Sequence, residues 1–222
     1  MRLVVRFLFW LARKLSGESS SAAGKGAEKS QFEVERKYRL ASSEAESLPG
    51  KLMENGFRYF RKQVMTDTFI PAEEESDMIR VRDLTEEGKS QIILTLKKWV
   101  MVEGERVRQE REVDSLDPVT RACLLSLGTR IAKGDLISFS KTRVEYQKRV
   151  DGRVVTVALD DVEGLGANSG PYMEVEVLAK REEDVKQASA KVDETAEFLL
   201  GESREVASSY MEMLKEHHAK SA

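Results

Sequence analysis

Two acids and a lysine alternate along the pentapeptide Glu-Val-Glu-Arg-Lys at residues 33–37. Successive side chains of an extended strand point to opposite faces, so Glu33, Glu35 and Lys37 would share one face. Two carboxylates beside an ammonium group can hold a divalent cation next to an anionic ligand, because hard ions such as Mg²⁺ prefer oxygen ligands. The alternative is a solvent-facing strand whose charges form ordinary salt bridges.

The composition excludes several other kinds of chemistry. The chain of 222 residues has a net charge of −3, which argues against a nucleic-acid partner recognised by overall positive charge. Its two histidines, His217 and His218, lie near the C-terminus, which argues against a histidine-based triad or metal centre. Cys123 is the only cysteine, so the chain has no internal disulfide and a reducing compartment is favoured. Catalysis would therefore depend on Glu, Asp, Lys and Arg.

The first fifteen residues form an amphipathic basic segment. They include no acid, and at helical spacing Arg2, Arg6 and Arg13 lie opposite an apolar stripe. The segment is too short for a membrane span and is typical of an organelle transit peptide or an interfacial anchor, with a secretory signal as an alternative. Residues 16–30 are typical of a flexible linker. We therefore expect a mitochondrial or other organellar location, otherwise a cytoplasmic one, and contact of residues 1–15 with import machinery or a membrane surface.

One folded domain is expected over residues 31–217, followed by a tail at residues 218–222. The motif at residues 33–37 lies in its first strand. Further strands are predicted at residues 57–69, 77–84, 89–100, 105–113, 136–150, 153–161 and 171–179. Helices are predicted at residues 42–55, 115–128, 182–200 and 205–217.

Charged and apolar residues alternate in most of these strands. One face of each strand is ionic, and the other is apolar enough to pack against helices. The charged positions that follow this pattern after the first strand are Arg80, Arg82, Arg106, Arg108, Glu110, Glu112, Lys141, Arg143, Glu145, Asp160, Glu174 and Glu176. A sheet closed with this face inward would have a basic wall for phosphates and carboxylates for their metal ions. An open sheet with a solvated charged face is the alternative.

The order of these motifs resembles that of the CYTH superfamily, the triphosphate tunnel metalloenzymes, over roughly residues 31–215. Residues 33–37 match the ExExK signature of that family. Later segments that resemble the family in the same order are Thr66–Phe69, Met78–Arg82, Leu94–Lys97, Arg108–Glu112, Lys141–Arg143, Asp160–Gly166 with Glu174–Glu176, and Ser209–Tyr210. The chain departs from the family where Lys97-Lys98-Trp99 replaces a frequent lysine-x-proline.

The resemblance implies an α+β fold, with an eight-stranded antiparallel β-barrel that forms a tunnel, a charged lumen and helices packed outside. It implies hydrolysis of a small-molecule triphosphate with Mg²⁺ or Mn²⁺. By matched position, the residues implied to contact phosphate are Lys37, Arg80, Arg82, Lys97, Lys141 and Arg143. Those implied to hold metal, directly or through water, are Glu33, Glu35, Asp160, Glu174 and Glu176, with Glu110 and Glu112 in support. Lys37 is also the candidate catalytic base.

Three functions fit these residues. The leading one is a triphosphatase that acts on inorganic tripolyphosphate, thiamine triphosphate or a nucleoside triphosphate. The second is a class IV adenylate cyclase, for which no residue set marks a nucleoside pocket. The third is a module that binds polyphosphate or a nucleotide without turnover, although a pure anion binder has little use for acids beside its arginines. The sequence leaves the preferred triphosphate, the number of metal ions and the oligomeric state open.

Overall fold

The computed structural model describes residues 32–71, 77–102, 104–201, 205–206 and 208–221. The predictions for the amphipathic segment and the linker concern residues 1–30, which lie outside these ranges. None of the helices in the described ranges is long and apolar enough to cross a membrane.

Eight antiparallel strands close into a barrel. The strands are β1 (Phe32–Arg39), β2 (Arg58–Ile70), β3 (Asp77–Glu86), β4 (Lys89–Val102), β5 (Glu105–Val113), β6 (Ile137–Val150), β7 (Arg153–Glu163) and β8 (Gly170–Ala179). Their order around the barrel is β1-β5-β4-β3-β2-β6-β7-β8. The predicted α+β barrel is therefore confirmed, and each strand lies where the alternation of side chains indicated.

The barrel closes where β1 meets β5. In the part of the chain that the structure describes, this seam has two residue pairs, Phe32 with Gln109 and Glu33 with Arg108. On its other side β1 pairs with β8 along its whole length, from Phe32 with Ala179 to Arg39 with Tyr172. Closure therefore depends on the first residues of β1, which include the start of the ExExK motif.

Helices cover the apolar outer wall of the barrel. They are α1 (Ser42–Glu54), α2 (Pro118–Ala132), α3 (Val185–Leu200) and α4 (Tyr210–Ser221). Valines of β1, β7 and β8 pack against α1 and α3, and α2 covers an apolar patch of β2, β3 and β4. This outward apolar face follows from the alternation of side chains along each strand. Because the ionic residues point inward, the apolar residues between them point outward and pack against helices.

Helices α2 and α4 differ most from their predicted bounds. Helix α2 continues past Gly128 because this glycine lies against Ile70, where an added Cβ would come within 2.9 Å of the isoleucine side chain. Helix α4 begins at Tyr210 because Glu205 pairs with Tyr38 of β1 as a β-bridge, so the preceding chain is extended. It continues to Ser221, through the residues expected to form a tail.

Helix α4 covers one end of the barrel. Ser209 Oγ accepts a hydrogen bond from the Glu212 amide at 3.2 Å, and Glu212 Oε2 accepts one from the Ser209 amide at 2.6 Å. This reciprocal cap fixes the first turn of the helix. Tyr210 then packs with Phe139 and Tyr172 in an apolar cluster at that end of the lumen. The lumen is therefore bounded there by aromatic side chains.

The inner face is not ionic throughout. Met65, Leu84 and Ile93 occupy inward positions of β2, β3 and β4 and form a small buried cluster. The wall of the lumen therefore has an apolar section beside its charged side chains.

Candidate functional site

A cavity of about 330 Å³ lies inside the barrel and is lined mainly by charged side chains. Every site residue predicted from the sequence lines this cavity except Asp160. Further polar side chains that line it had no role in the predicted site, namely Arg61, Gln63, Asp67, Ser209 and Tyr210, although Asp67, Ser209 and Tyr210 lie in segments that resemble the family. The first three lie at inward positions of β2, where the period-two pattern could have identified them.

Lys37 lies at the end of the cavity that α4 covers. Its ammonium nitrogen is 3.0 Å from Glu174 Oε1, 3.7 Å from Glu35 Oε1 and 4.0 Å from the centre of the Tyr210 ring. The contact with Glu174 follows from the register of β1 and β8, which pairs these two residues. Lys37 therefore presents a fixed positive charge in the lumen.

Asp160 is buried behind the basic residues of β6. Its carboxylate accepts two hydrogen bonds from Arg143 at 2.6 Å, one from Lys141 at 2.9 Å and one from the Tyr210 hydroxyl at 3.0 Å. Burial alone would raise the pKa of Asp160, but Arg143 and Lys141 hold it below its usual value. In this geometry Asp160 orients two cations toward the cavity, and its predicted metal-binding role stays a prediction.

Lys141 and Tyr210 are both affected by this burial. Burial and the neighbouring Arg143 lower the pKa of Lys141 to about 8. Burial, together with Asp160 and Glu174, raises the pKa of the Tyr210 hydroxyl well above its ordinary value. The Lys141 ammonium nitrogen also lies 5.1 Å from the centre of the Tyr210 ring, so this ring contacts two lysines.

The two arginines of β3, Arg80 and Arg82, differ in how many of their hydrogen-bond donors have a partner. Arg82 donates two hydrogen bonds to Asp67, at 2.7 and 2.9 Å, and thereby helps to hold the pKa of that buried carboxyl far below its usual value despite burial. Arg80 donates to Thr95 Oγ1 at 3.0 Å, but its Nε has no hydrogen-bond partner among the described residues. Burial and the adjacent Arg82 lower the pKa of Arg80. Arg80 is therefore a buried cation with a donor available for an anion.

Lys97 joins the wall of β4 to the carboxylates of the seam. Its ammonium nitrogen is 3.2 Å from Glu33 Oε2 and 3.0 Å from Glu110 Oε1. Lys98, the next residue, is exposed on the outer face. On the same wall the Thr95 hydroxyl donates to Glu112 Oε1 at 2.9 Å. The structure thus brings Glu110 and Glu112 beside the phosphate-binding candidates.

Glu33, Glu35 and Glu176 gather on the wall formed by β1 and β8, where Glu35 and Glu176 are directly paired. Burial, followed by the negative charges of Glu33 and Glu35, raises the pKa of Glu176 well above its usual value. A bound cation would relieve this repulsion, so the donor set fits a divalent ion. Among the described residues no three carboxylates are arranged to hold an ion by themselves. Such an ion would take further oxygen ligands from phosphate and water, as Mg²⁺ commonly does.

The fold and the site together define a closed antiparallel β-barrel whose lumen presents lysines, arginines and glutamates. The sequence matches the model of the CYTH domain over residues 31–210, and the chain therefore belongs to the CYTH family. No curated protein matches the chain.

Several solved structures are similar to this protein. The PH1819 protein of Pyrococcus horikoshii OT3 is 28% identical, with a TM-score of 0.66 over 83% of this chain and 99% of that chain. HpAC1 from Hippeastrum, a candidate adenylyl cyclase with a dominant triphosphatase activity, is 15% identical, with a TM-score of 0.53 over 84% and 95% of the two chains. A candidate adenylate cyclase from Vibrio parahaemolyticus is 16% identical, with a TM-score of 0.57 over 84% and 99%. The last two share the fold.

Proposed function

We propose that this protein is a metal-dependent triphosphatase that hydrolyses a phosphoanhydride bond inside the barrel. The observation that carries the proposal is the buried Arg80 guanidinium, whose Nε lacks an acceptor among the described residues. A buried donor without a partner costs about 1–3 kcal/mol, and more when the group is charged. A phosphate oxygen would satisfy this donor in a lumen that already presents several other cations.

The basic side chains would bind the triphosphate along the length of the lumen. Lys37 and Lys141 lie beside the Tyr210 ring at its covered end, and Arg80, Arg82 and Arg143 line the same cavity. These groups are fixed before substrate arrives, because each is paired with a buried carboxylate or held by a neighbouring ring. Phosphoryl transfer requires mainly positioning and neutralisation of phosphate charge, and the lumen supplies both.

Glu33, Glu35 and Glu176 would hold Mg²⁺ or Mn²⁺, and Glu174 would complete the carboxylate set beside Lys37. When bound, the ion would neutralise phosphate oxygens and lower the pKa of a coordinated water. The carboxylates distinguish this site from a simple anion binder, since acids beside arginines would weaken anion binding without a metal.

Lys37 would contact phosphate as an ammonium group. The prediction that it also acts as the catalytic base requires it first to give a proton to a carboxylate that it contacts, Glu174 or Glu35. Its amine could then accept a proton from the attacking water as the bond between phosphorus and the bridging oxygen breaks.

A panel of three triphosphates with and without metal tests the proposal. Tripolyphosphate, thiamine triphosphate and ATP are incubated with Mg²⁺, Mn²⁺ or EDTA, and phosphate release and cyclic AMP are measured. We expect metal-dependent phosphate release from at least one of them. Cyclic AMP as the main product from ATP would instead indicate a cyclase. Tight binding that EDTA does not change, without turnover of any compound, would indicate a binding module.

We also propose that residues 1–30 determine where the protein resides. Three arginines and no acids in an amphipathic segment of fifteen residues suit recognition by mitochondrial import machinery or an anionic membrane surface. The CYTH match begins at residue 31, so this segment lies outside the family domain.

A further inference from the structure

One outward side chain of β1, that of Arg36, joins three segments outside the barrel. Its Nη2 atom is 3.3 Å from Glu105 at the start of β5. Its Nε atom is 3.4 Å from Asp193 of α3 and 3.6 Å from Glu205. Glu205 precedes α4 and forms the β-bridge with Tyr38. We refer to Arg36, Glu105, Asp193 and Glu205 as the outer cluster.

The outer cluster has one cation for three carboxylates. The Arg36 side chain is 17% exposed, so solvent screens its charge only in part. Burial, followed by the negative charges of Glu205 and Asp193, raises the pKa of the neighbouring Tyr38 to about 12. A single exposed ion pair contributes little to stability, but removal of this shared cation would leave three carboxylates facing one another. Arg36 therefore favours the position of Glu205 beside β1.

The chain next to Glu205 is bonded to the backbone of the ExExK motif. The Val206 amide donates a hydrogen bond to the Lys37 carbonyl oxygen at 2.7 Å. Four residues later, the Tyr210 ring lies 4.0 Å from the Lys37 ammonium nitrogen. The segment that Arg36 holds on the outside of the barrel thus contacts both the backbone and the side chain of Lys37.

We propose that Arg36 is a positioning residue for the covered end of the lumen. It holds Glu205 against β1, which keeps the hydrogen bond from Val206 to Lys37 and places the Tyr210 ring on the Lys37 ammonium group. Arg36 contacts no reacting group and acts through these residues. Its effect on catalysis rests on the proposed function, because a displacement of about 1 Å at a reacting centre can lower a rate about 100-fold.

Amide hydrogen exchange of the full chain, measured by NMR, tests this link without any substrate. Arg36→Met keeps much of the apolar stem but removes the charge. In this variant the Val206 amide should exchange at least roughly 10-fold faster, because its hydrogen bond to Lys37 opens more often, while amides of α2 stay as in the wild type. Arg36→Lys keeps the charge and should retain most of the protection. Unchanged exchange at Val206 in Arg36→Met would overturn the inference.

The matched control is Arg153→Met. Arg153 forms an ion pair with Asp184 at 3.0 Å at the start of α3, outside the outer cluster. This variant loses an arginine of similar exposure and should leave exchange at Val206 unchanged. Faster exchange at Val206 to the same extent in both variants would show a general loss of stability and would contradict a specific role of Arg36.

A second variant tests whether charge is the cause. Glu205→Gln, added to Arg36→Met, removes one of the three carboxylates that would repel one another. The double variant should therefore recover part of the protection of the Val206 amide that Arg36→Met loses. If the double variant exchanges at Val206 as fast as Arg36→Met, repulsion does not displace this segment and the inference is wrong.

A double-mutant cycle tests whether Arg36 acts on the lumen through Tyr210. Arg36→Met should raise KM for a triphosphate that the wild type hydrolyses at least roughly 3-fold. In the Tyr210→Leu background the same change should raise KM much less, because the ring that Arg36 positions is already absent. An equal factor in both backgrounds would show that Arg36 does not act through Tyr210.

These outcomes distinguish the inference from the proposed function. If the wild type hydrolyses a triphosphate but exchange at Val206 does not respond to Arg36→Met, the triphosphatase assignment stands and the role of Arg36 is wrong. If the wild type hydrolyses no triphosphate, the proposed function fails, while faster exchange at Val206 in Arg36→Met would still support the positioning of the covered end by Arg36.

Discussion

Arg80 and Arg82 are adjacent inward residues of β3, but removal of Arg82 would take both of its hydrogen bonds from the buried Asp67, whereas removal of Arg80 would not. Asp67 keeps both hydrogen bonds from Arg82 when Arg80 is absent. We expect Arg80→Ala to fold and to lower kcat/KM for a triphosphate roughly 10- to 150-fold, because a hydrogen bond to a charged group contributes about 1.5–3 kcal/mol.

The matched control is Arg121→Ala. Arg121 donates two hydrogen bonds to Asp83 on the outer side of β3, at 2.7 and 2.6 Å, and does not line the cavity. Steady-state kinetics and thermal unfolding of both variants are compared. Equal loss of activity in the two variants would show that Arg80 acts through stability rather than through phosphate binding.

Burial and the negative charges of Glu33 and Glu35 both oppose the charge of Glu176. Glu176→Gln keeps the volume of the side chain but removes a candidate metal ligand, so the Mg²⁺ concentration for half-maximal activity should rise at least roughly 10-fold. Glu145→Gln is the control, because Glu145 is paired with Arg61 at 2.8 Å in the same lumen. Superimposable metal titrations of the wild type and Glu176→Gln would contradict a metal-binding role.

The lowered pKa of Lys141 predicts that both stability and kcat/KM depend on pH. Burial and Arg143 lower its pKa in the folded protein to about 8, from 10.5. Between these values the unfolded chain binds more protons than the folded one, so this residue makes stability rise with pH across that window. Substrate binding should change in the opposite direction, because neutral Lys141 no longer attracts phosphate. We expect kcat/KM to fall above about pH 8 in the wild type but not in Lys141→Arg. A rise of kcat/KM through this pH would show that neutral Lys141 assists the reaction.

At the scale of elements, α4 supplies the ring that contacts both lysines. Tyr210→Phe keeps this ring and loses only the hydrogen bond to Asp160, whose carboxylate retains Arg143 and Lys141. Tyr210→Leu also removes the ring. Since a buried cation–π contact contributes about 2 kcal/mol, we expect KM to rise roughly 30-fold in the leucine variant and much less in the phenylalanine variant. If the two variants change KM and thermal stability by equal amounts, the role of Tyr210 lies in its hydroxyl group.

For the whole molecule, we expect the CYTH domain to work without residues 1–30. A chain that begins at Gln31 keeps every residue of the cavity, so it should fold and retain its kcat and KM. A fluorescent protein fused to residues 1–30 should leave the diffuse cytosolic pool and gather at mitochondria or at a membrane. Changing Arg2, Arg6 and Arg13 to glutamine in this fusion is the control and should return it to the cytosol. Loss of activity in the shortened chain would show that the segment belongs to the domain.

The sequence by itself determined the strands and the faces of their side chains. Alternation with period two is a local property, because each residue of an extended chain points opposite to the next. Glu33, Lys37, Arg80 and Lys97 could therefore be placed on an ionic face without knowledge of their neighbours. The order of the motifs then identified the family, and with it the closed barrel.

Only the tertiary structure decided which of these charges meet. The register of neighbouring strands sets Glu174 beside Lys37 and Glu35 opposite Glu176, and register is a relation between distant parts of the chain. The same non-local pairing buries Asp160 behind the basic residues of β6 and leaves Arg80 Nε without an acceptor among the described residues.

The covered end of the lumen likewise depended on tertiary contacts. Tyr210 enters the cavity because the bridge between Tyr38 and Glu205 directs the chain across that end of the barrel before α4 begins. No local pattern encodes this position, since it requires segments far apart in sequence to become neighbours.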